Sequence, residues 1–487
     1  MTERDDPTQL LSKAQRQAVR QLLRIAPVAD ELGARFEGAG HELALVGGSV
    51  RDALLDRLGH DLDFTTSARP EDTKRLLAGW ADSVWDVGRA YGTIGGTKDG
   101  FHIEITTYRA DSYEQESRKP AVAYGDSIAD DLVRRDFTVN AMAVMLPGHE
   151  FVDPHQGLVD LGRQTIRTPG TPQQSFSDDP LRMMRAARFA AQLGFEVADE
   201  VVSAMGTMAE RIDIVSAERV RDELSKMLLA ADPRAGLTLL VDTGLAARVL
   251  PELPALRLEI DEHHRHKDVY EHSLTVLEQA IELEERLPGD GPDLVIRLAA
   301  LLHDIGKPKT RRFETRGGVS FYHHDVVGAK LARKRLTALR YPTAVVNSVT
   351  ELTRLHLRFH GYGSGEWTDS AVRRYVRDAG EELARLHVLT RADCTTRNRR
   401  KAQALQRSYD SLEERIERLA EEEELASIRP DLDGNQIMRI LGIAPGPVVG
   451  RAYQHLLEVR LDRGGLDEDE ARDELLKWWA EQPESAS

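Results

Sequence analysis

The sequence predicts an α+β protein, with strands gathered towards the amino end and helices over the remainder. Three observations carry that expectation. Leu45 to Thr66, LVGGSVRDALLDRLGHDLDFTT, reads as a short apolar strand, a Gly-Gly turn, a helix and a second strand. FHIEITTYR alternates, with Phe101, Ile103 and Ile105 on one face and His102, Glu104 and Thr106 on the other. From Asp178 onward the patterned segments are helical, beginning with Leu181, Met184, Ala187 and Phe189 as packing positions.

At 487 residues the chain exceeds one compact core, so several domains are expected. A formal net charge of −16 argues against indiscriminate nucleic-acid binding, yet leaves room for a local basic groove. The single cysteine, Cys394, permits no intramolecular disulfide and fits a reducing cytosol. MTERDDPTQL has no basic-then-apolar signal, and no apolar run approaches membrane-spanning length, so a cytoplasmic protein without a membrane partner is expected. No sequence feature sets an oligomeric state.

Residues 1–40 read as a leader and then a helix, with Leu22, Leu23, Ile25, Val28 and Leu32 as a rough apolar stripe. In the stretch that follows, Asp61 and Asp63 stand two apart on a strand and share a face, able to grip the same hard cations with Leu62 turned into the core. The paired glycines Gly47 and Gly48, with Ser49, let backbone N–H groups approach a phosphate at a helix N-terminus, and Arg51 adds a fork of donors. Taken singly, each part also has an ordinary reading as a turn or a solvated strand end.

Pro70-Glu71-Asp72 starts a helix through Leu76 and Leu77. Strand-like runs follow at Ser83–Val87 and Phe101–Thr107, separated by a turn-rich Gly92–Gly100. On spacing alone Glu104 divides evenly between a third carboxylate beside the aspartates and a solvated polar face. Arg109 is a candidate phosphate or sugar contact. Residues 111–130 are polar, contain Pro120 and Gly125, and are expected as a loop. In LVRRDFTVNAMAV, Arg134 and Arg135 precede an apolar segment into which Asp136 and Asn140 project.

Asp178-Asp179-Pro180-Leu181-Arg182 opens a helix on which Arg182, Arg185 and Arg188 recur every three residues. Such a stripe is ordinarily a solvated face, but a carboxylate three residues before an arginine also forms a pair able to meet a base edge. Pro251–Pro254 marks a boundary, after which histidines concentrate: His272, His303 with Asp304, His323 and His324, and then Asp393. That order on helices suits a transition-metal ion, since imidazole and carboxylate serve together as ligands. Basic residues gather from Arg373 to Lys401, notably Arg397, Arg399, Arg400 and Lys401, which suits either solvated helix or an RNA phosphate track. A Glu-rich connector helix near 412–425 leads to the carboxy-terminal segment.

GGSVRD followed by DLDFTT, with RRDFTVNAM and D-x-x-R in order behind them, resembles the nucleotidyltransferase core of bacterial tRNA CCA-adding enzymes and poly(A) polymerases. The histidine-rich part resembles the HD phosphohydrolase domain found in some of them. The resemblance implies a small mixed-sheet nucleotidyltransferase head (41–170), a mostly helical neck with a base-selecting helix (171–255), an HD domain (256–405) and a helical RNA-contacting tail (406–487), after a leader helix (1–40). It implies addition of CMP and AMP from CTP and ATP to a tRNA 3′ end. Mg²⁺ would sit on Asp61 and Asp63, with Glu104 as third catalytic carboxylate.

Gly48, Ser49, Arg51 and Arg135 are then the triphosphate contacts, with Asp136 and Asn140 as local organisers. Asp179 and Arg182 select the base, Arg185 and Arg188 support phosphate or base, and Glu218 and Arg219 brace the helix. His272, His303, Asp304 and Asp393 would hold a second divalent transition metal, with His324 and His356 available for a further ion or a phosphate. Gly157, Asp160 and Leu161 are turn and packing. Poly(A) polymerase is the nearest alternative; an HD phosphohydrolase or RNA-repair enzyme is the alternative from another class.

Overall fold

The computed structural model describes residues 27–486, apart from 58, 87, 90–91, 110–123, 126, 259–267, 314–318, 362–366, 396–397 and 424–428. Leu22, Leu23, Ile25, most of the 111–130 loop and Arg397 lie outside the described residues. The chain divides into two compact units, Met1–Val249 and Leu250–Ser487.

The first unit is built on a seven-stranded mixed sheet. Its strands are β1 (Leu43–Val46), β2 (Asp61–Thr66), β3 (Ser83–Trp85), β4 (Thr93–Lys98), β5 (Phe101–Thr107), β6 (Ala143–Leu146) and β7 (Phe151–Val152), in the order β3-β4-β5-β2-β1-β6-β7. Only β2 and β5 run parallel; every other neighbour is antiparallel. All four residues of β1 are buried, as expected of a central strand covered on both faces.

Two local expectations are corrected. Gly92–Gly100, expected as turns, contains β4, because glycine there serves close packing. A Cβ on Gly95 would collide with the Trp85 indole, and one on Gly96 would come within 2.9 Å of the Ser83 carbonyl. Asp178 does not open the arginine-striped helix; it ends a preceding helix, Pro172–Asp178, and the striped helix runs Leu181–Leu193. The intervening Asp179-Pro180 breaks the run because proline disfavours helical geometry in the residue before it. Asp179 is accordingly extended, at φ −143° and ψ 102°.

The Leu181–Leu193 helix is the centre of the helical part of this unit. It packs against Ala217–Leu228 and Pro233–Asp242, where Gly236 lies so close that a Cβ would stand 2.6 Å from the Ala187 carbonyl. Gly194, at φ 70°, ends it in the left-handed conformation that glycine adopts without strain.

The second unit is helical. Val269–Glu282, Leu294–Leu302, His324–Ala338, Thr343–Leu355 and Leu383–Ala392 pack together. Leu294–Leu302 is buried at every position from Ile296 onward, consistent with an almost wholly apolar sequence. Arg399–Glu423 runs unbroken across position 405, where the sequence reading divides HD domain from tail. Three final helices, Gly434–Leu441, Pro447–Arg463 and Glu468–Ala480, close over Leu432, Ile437, Ala452, Leu456, Ala471 and Leu475. Capping boxes at Asp433/Gln436 and Asp467/Glu470 start two of them. Among the described residues no helix is long and apolar enough to cross a membrane.

Candidate active site and candidate metal centre

Strand alternation creates the carboxylate cluster of the first unit. Along β2, Asp61 and Asp63 are exposed while Leu62 and Phe64 are buried. The parallel register sets Asp63 beside Glu104 on β5, where Glu104 is exposed between buried Ile103 and Ile105. Three carboxylates thus share one face. Solvent reaches Asp63, yet protein surrounds it closely. This burial, together with Glu104 and Asp61, raises its pKa above the ordinary carboxylate value against the opposing pull of Arg135 and Arg51. A crowd of oxygen donors in mutual repulsion fits hard divalent cations such as Mg²⁺.

The glycine turn is fastened to this strand. The Ser49 hydroxyl donates to the Asp61 carbonyl at 3.3 Å and accepts from the Asp63 N–H at 2.9 Å. Gly47 has φ 68°, and a Cβ there would lie 2.9 Å from Arg135 Nη1, so a side chain would obstruct the arginine. Arg135 is aimed by buried Asp131, 3.0 Å away, which also pairs with Arg134. The pair follows the helix Ile128–Val133, where cations suit the negative end of the helix dipole. Arg109 pairs with Tyr124 in an isolated β-bridge.

Arg51 is buried and donates to both oxygens of Asp52 and, at 2.6 Å, to Asn140 Oδ1. Asn140 in turn donates to Asp136 Oδ1 at 3.0 Å, while Arg185 Nε donates to Asp136 Oδ2 at 2.8 Å. Burial alone would raise the Asp136 pKa; Arg185 and Asn140 outweigh it and hold the group far below the usual range. A continuous run of hydrogen bonds therefore links Arg51 to the arginine-striped helix. That link is invisible to spacing, since it joins residues up to 134 positions apart in sequence.

Asp179 and Arg182 stand at the start of that helix. The Asp179 carboxylate accepts the Leu181 N–H at 3.1 Å and pairs with Arg219 at 2.8 Å. Arg182 donates to Ser175 Oγ at 2.9 Å and to the Arg134 carbonyl. Arg188 turns inward, 2.5 Å from Glu223 and stacked over Phe189. Gly157 packs so tightly that a Cβ would collide with the Thr138 carbonyl; Asp160 accepts the Thr138 hydroxyl at 2.7 Å, and Leu161 is buried.

The second unit gathers histidines and carboxylates from five places in the sequence. His272, His303 and Asp393 form one group, and Asp304, His324 and His356 another, each with candidate ligand atoms within 4.8 Å of one another. These are the only such groups among the described residues, so the first unit's carboxylates are drawn together less tightly. Asp304 stands between the groups: Oδ2 is 3.2 Å from His303 Nε2 and 3.5 Å from His272 Nε2, while Oδ1 is 3.2 Å from His324 Nε2. Backbone carbonyls orient the rings, Ala300 for His303, Phe321 for His324 and Thr353 for His356, each contacting Nδ1 and leaving Nε2 towards the centre.

Burial opposes charge on His303, but Asp304 and Asp393 prevail and lift it to about 9; burial and His303 push His356 down to about 3. The buried His303 Nε2 has no hydrogen-bond partner among the described residues, and Asp304 Oδ2 is met by the Lys307 ammonium at 2.8 Å. An unsatisfied imidazole nitrogen beside two carboxylates fits a divalent cation, and the imidazole-carboxylate mixture suits a transition metal. Lys307, which the sequence reading missed, lies 2.8 Å from Asp304 Oδ2; its i,i+3 spacing from Asp304 is the signal that was available.

The basic residues gathered from Arg373 to Lys401 divide: Arg400 and Lys401 are exposed at the start of Arg399–Glu423, whereas those nearer Arg373 meet partners within the fold. Arg373 is buried against the Leu461 carbonyl, Arg374 pairs with Asp462, and buried Arg391 pairs with Asp410 and Glu413. Acidic partners on other helices consume much of the charge.

Comparison with known proteins bears on both units. The poly A polymerase head domain matches residues 43–167, the probable RNA and SrmB-binding site of polymerase A matches 194–256, and the HD domain matches 269–398. An A-adding tRNA nucleotidyltransferase of Deinococcus radiodurans is 34% identical over 91% of this chain and 96% of its own. A CCA-adding enzyme of Streptococcus gordonii is 40% identical over 47% of this chain, which spans 56% of that relative. The crystal structure of the Bacillus stearothermophilus CCA-adding enzyme in complex with CTP superposes with a TM-score of 0.65 at 25% identity, covering 92% of this chain and 96% of that one.

Proposed function

The chain belongs to the tRNA nucleotidyltransferase family, and we propose that it adds CMP and AMP from CTP and ATP to the 3′ end of tRNA. The observation that carries this reading is the register pairing of Asp63 with Glu104, beside a glycine turn fastened to the same strand through Ser49. Asp61, Asp63 and Glu104 would hold Mg²⁺, which when bound activates the terminal 3′-hydroxyl and neutralises charge on the transferring phosphoryl group. Gly48, Ser49, Arg51 and Arg135 would receive the triphosphate. Asp179 and Arg182 would meet the base edge, with Arg219 setting the aspartate and Arg185 the helix. Arg188, enclosed by Glu223 and Phe189, supports that helix from within. The division into head, neck, HD domain and tail, and a cytoplasmic location, are part of the same proposal.

His272, His303, Asp304 and Asp393 would hold a divalent transition metal in the HD domain, with His324 and His356 completing a second position around the shared Asp304. The long match to an A-adding relative favours a second reading, addition of the terminal AMP alone. Incubation with Mg²⁺ and tRNAs ending before CCA or after CC, offering CTP, ATP or both, separates the readings by product length. Addition of CC with CTP, then one A when both are present, supports CCA addition. Extension only of the CC-ending tRNA supports the second reading, and a long A tail with CTP ignored overturns both.

A further inference from the structure

The two most exposed aromatic side chains among the described residues, at 75% and 66% exposure, are Phe313, on a short hairpin of the second unit, and Tyr322, two residues beyond its second strand. Its strands, Arg312–Phe313 and Val319–Ser320, pair Arg312 with Ser320 and Phe313 with Val319. The segment leading in, Lys307 to Phe313, reads KPKTRRF, and the segment leading out, Val319 to His323, reads VSFYH. Neither contains an acidic residue, and the sequence between them, ETRGG at 314–318, adds one acid, Glu314, and one further arginine, Arg316, on a chain whose formal charge is −16. Lys309, Arg311, Arg312 and His323 are exposed beside the aromatics, and the Arg311 guanidinium lies 5.0 Å from the Phe313 ring centroid.

Exposing two large rings costs hydrophobic free energy, which a folded chain ordinarily recovers by burial. Here the rings are instead interleaved with cations. That combination is complementary to single-stranded nucleic acid, whose bases stack on aromatic faces while its phosphates meet Lys and Arg. From this arrangement we infer that the hairpin is a binding site for single-stranded RNA. Phosphates lie along Lys309, Arg311 and Arg312, and two bases stack on Phe313 and Tyr322.

The strip is continuous with the candidate metal centre. Tyr322 and His323 directly precede His324, and Lys307 spans 2.8 Å to Asp304 and 5.6 Å to the ring of buried Phe321. A phosphate-bearing strand on the hairpin therefore approaches a centre whose donors suit phosphate-binding cations. An anionic lipid surface would also attract the cations. However, two-residue strands offer no broad apolar face for insertion, and continuity with the metal centre favours a nucleic acid.

The test uses the full chain and a single-stranded RNA oligonucleotide carrying 5-iodouridine, irradiated and mapped by mass spectrometry. Crosslinks are expected at Phe313 and Tyr322. A Lys309→Glu, Arg311→Glu, Arg312→Glu variant keeps both rings, and its crosslink yield there should fall at least about tenfold because the phosphate contacts are lost. The tRNA extension rate and the melting temperature should stay unchanged. Crosslinks confined to other segments, or an undiminished yield in the triple variant, would overturn the site. Stronger capture by phosphatidylglycerol vesicles than by RNA, lost in the same variant, would overturn it in favour of a lipid surface.

Discussion

The two candidate metal sites are built on opposite plans. In the first unit, one strand places Asp61 and Asp63 on an exposed face, and its parallel neighbour adds Glu104 by register. In the second unit, His303, Asp304, His324 and His356 are buried, and helices from distant parts of the sequence deliver them. The first is open, oxygen-rich and able to admit large substrates between cation and solvent. The second is enclosed, nitrogen-rich and pre-oriented by backbone carbonyls. An exposed strand face suits a site that must receive a macromolecular end, whereas a buried helical centre secures its ions by satisfying its own polar atoms.

The largest expected effect breaks the first site alone. Asp61→Ala should reduce tRNA extension by at least about a thousandfold, because metal stabilisation of phosphoryl charge supplies several kcal/mol. His303→Ala should leave extension within a few fold. A large loss of extension in His303→Ala would mean the two sites are coupled and would remove the contrast.

Next in size is a stability effect. Burial alone would lift the Asp131 pKa, but Arg135 and Arg134 outweigh it and hold it below its ordinary value. Its folded value thus lies beneath its unfolded value, so its contribution is present above the unfolded pKa of about 3.9 and is lost as pH falls towards the folded one. Asp136, lowered by Arg185 and Asn140 against burial, acts in the same direction. Asp131→Asn, which removes the carboxylate that Arg134 and Arg135 share, should cost about 3–5 kcal/mol at neutral pH and flatten the acid limb below about pH 4. Denaturant unfolding across pH measures both; an unchanged acid limb would reject this assignment.

A subtler test divides the enclosed centre. Metal analysis of purified chain should give two divalent ions per molecule in that unit, with one retained in His324→Ala and none in Asp304→Asn. Retention of both ions in Asp304→Asn would show that the carboxylate does not join the two groups. The smallest effect is on base choice. Arg182→Ala should blur discrimination between CTP and ATP by roughly tenfold, the worth of one buried donor left unpaired. Competition kinetics showing intact discrimination with weakened triphosphate binding would relocate base selection elsewhere.

Much of this contrast was legible in the sequence, unevenly. Strand period two put Asp61 and Asp63 on one face and Phe101, Ile103 and Ile105 on the other side of β5 from Glu104, and all are found so. Turn and helix-start chemistry marked Gly47–Arg51 and Pro70. The residue order from His272 to Asp393 named candidate residues that the fold brings together: all of one histidine group, and His324 and His356 of the other. These features are short-range: they follow from backbone geometry over a few residues, which any window of sequence contains.

What the tertiary structure alone decided is pairing. The register of β2 against β5 chose the carboxylate reading of Glu104 over a dispersed polar face, because strands 41 positions apart must meet before their side chains can. Packing turned Gly95 and Gly96 from turn residues into a strand that accommodates Trp85. Ion pairs with distant acids enclosed Arg188 and Arg391, and a backbone carbonyl met Arg373, while the basic side chains beside Phe313 stayed exposed. A charged side chain reads alike in sequence whether it ends in water or against a carboxylate. Only the fold brings the partner, and the cost of burying an unpaired charge makes that partner decisive.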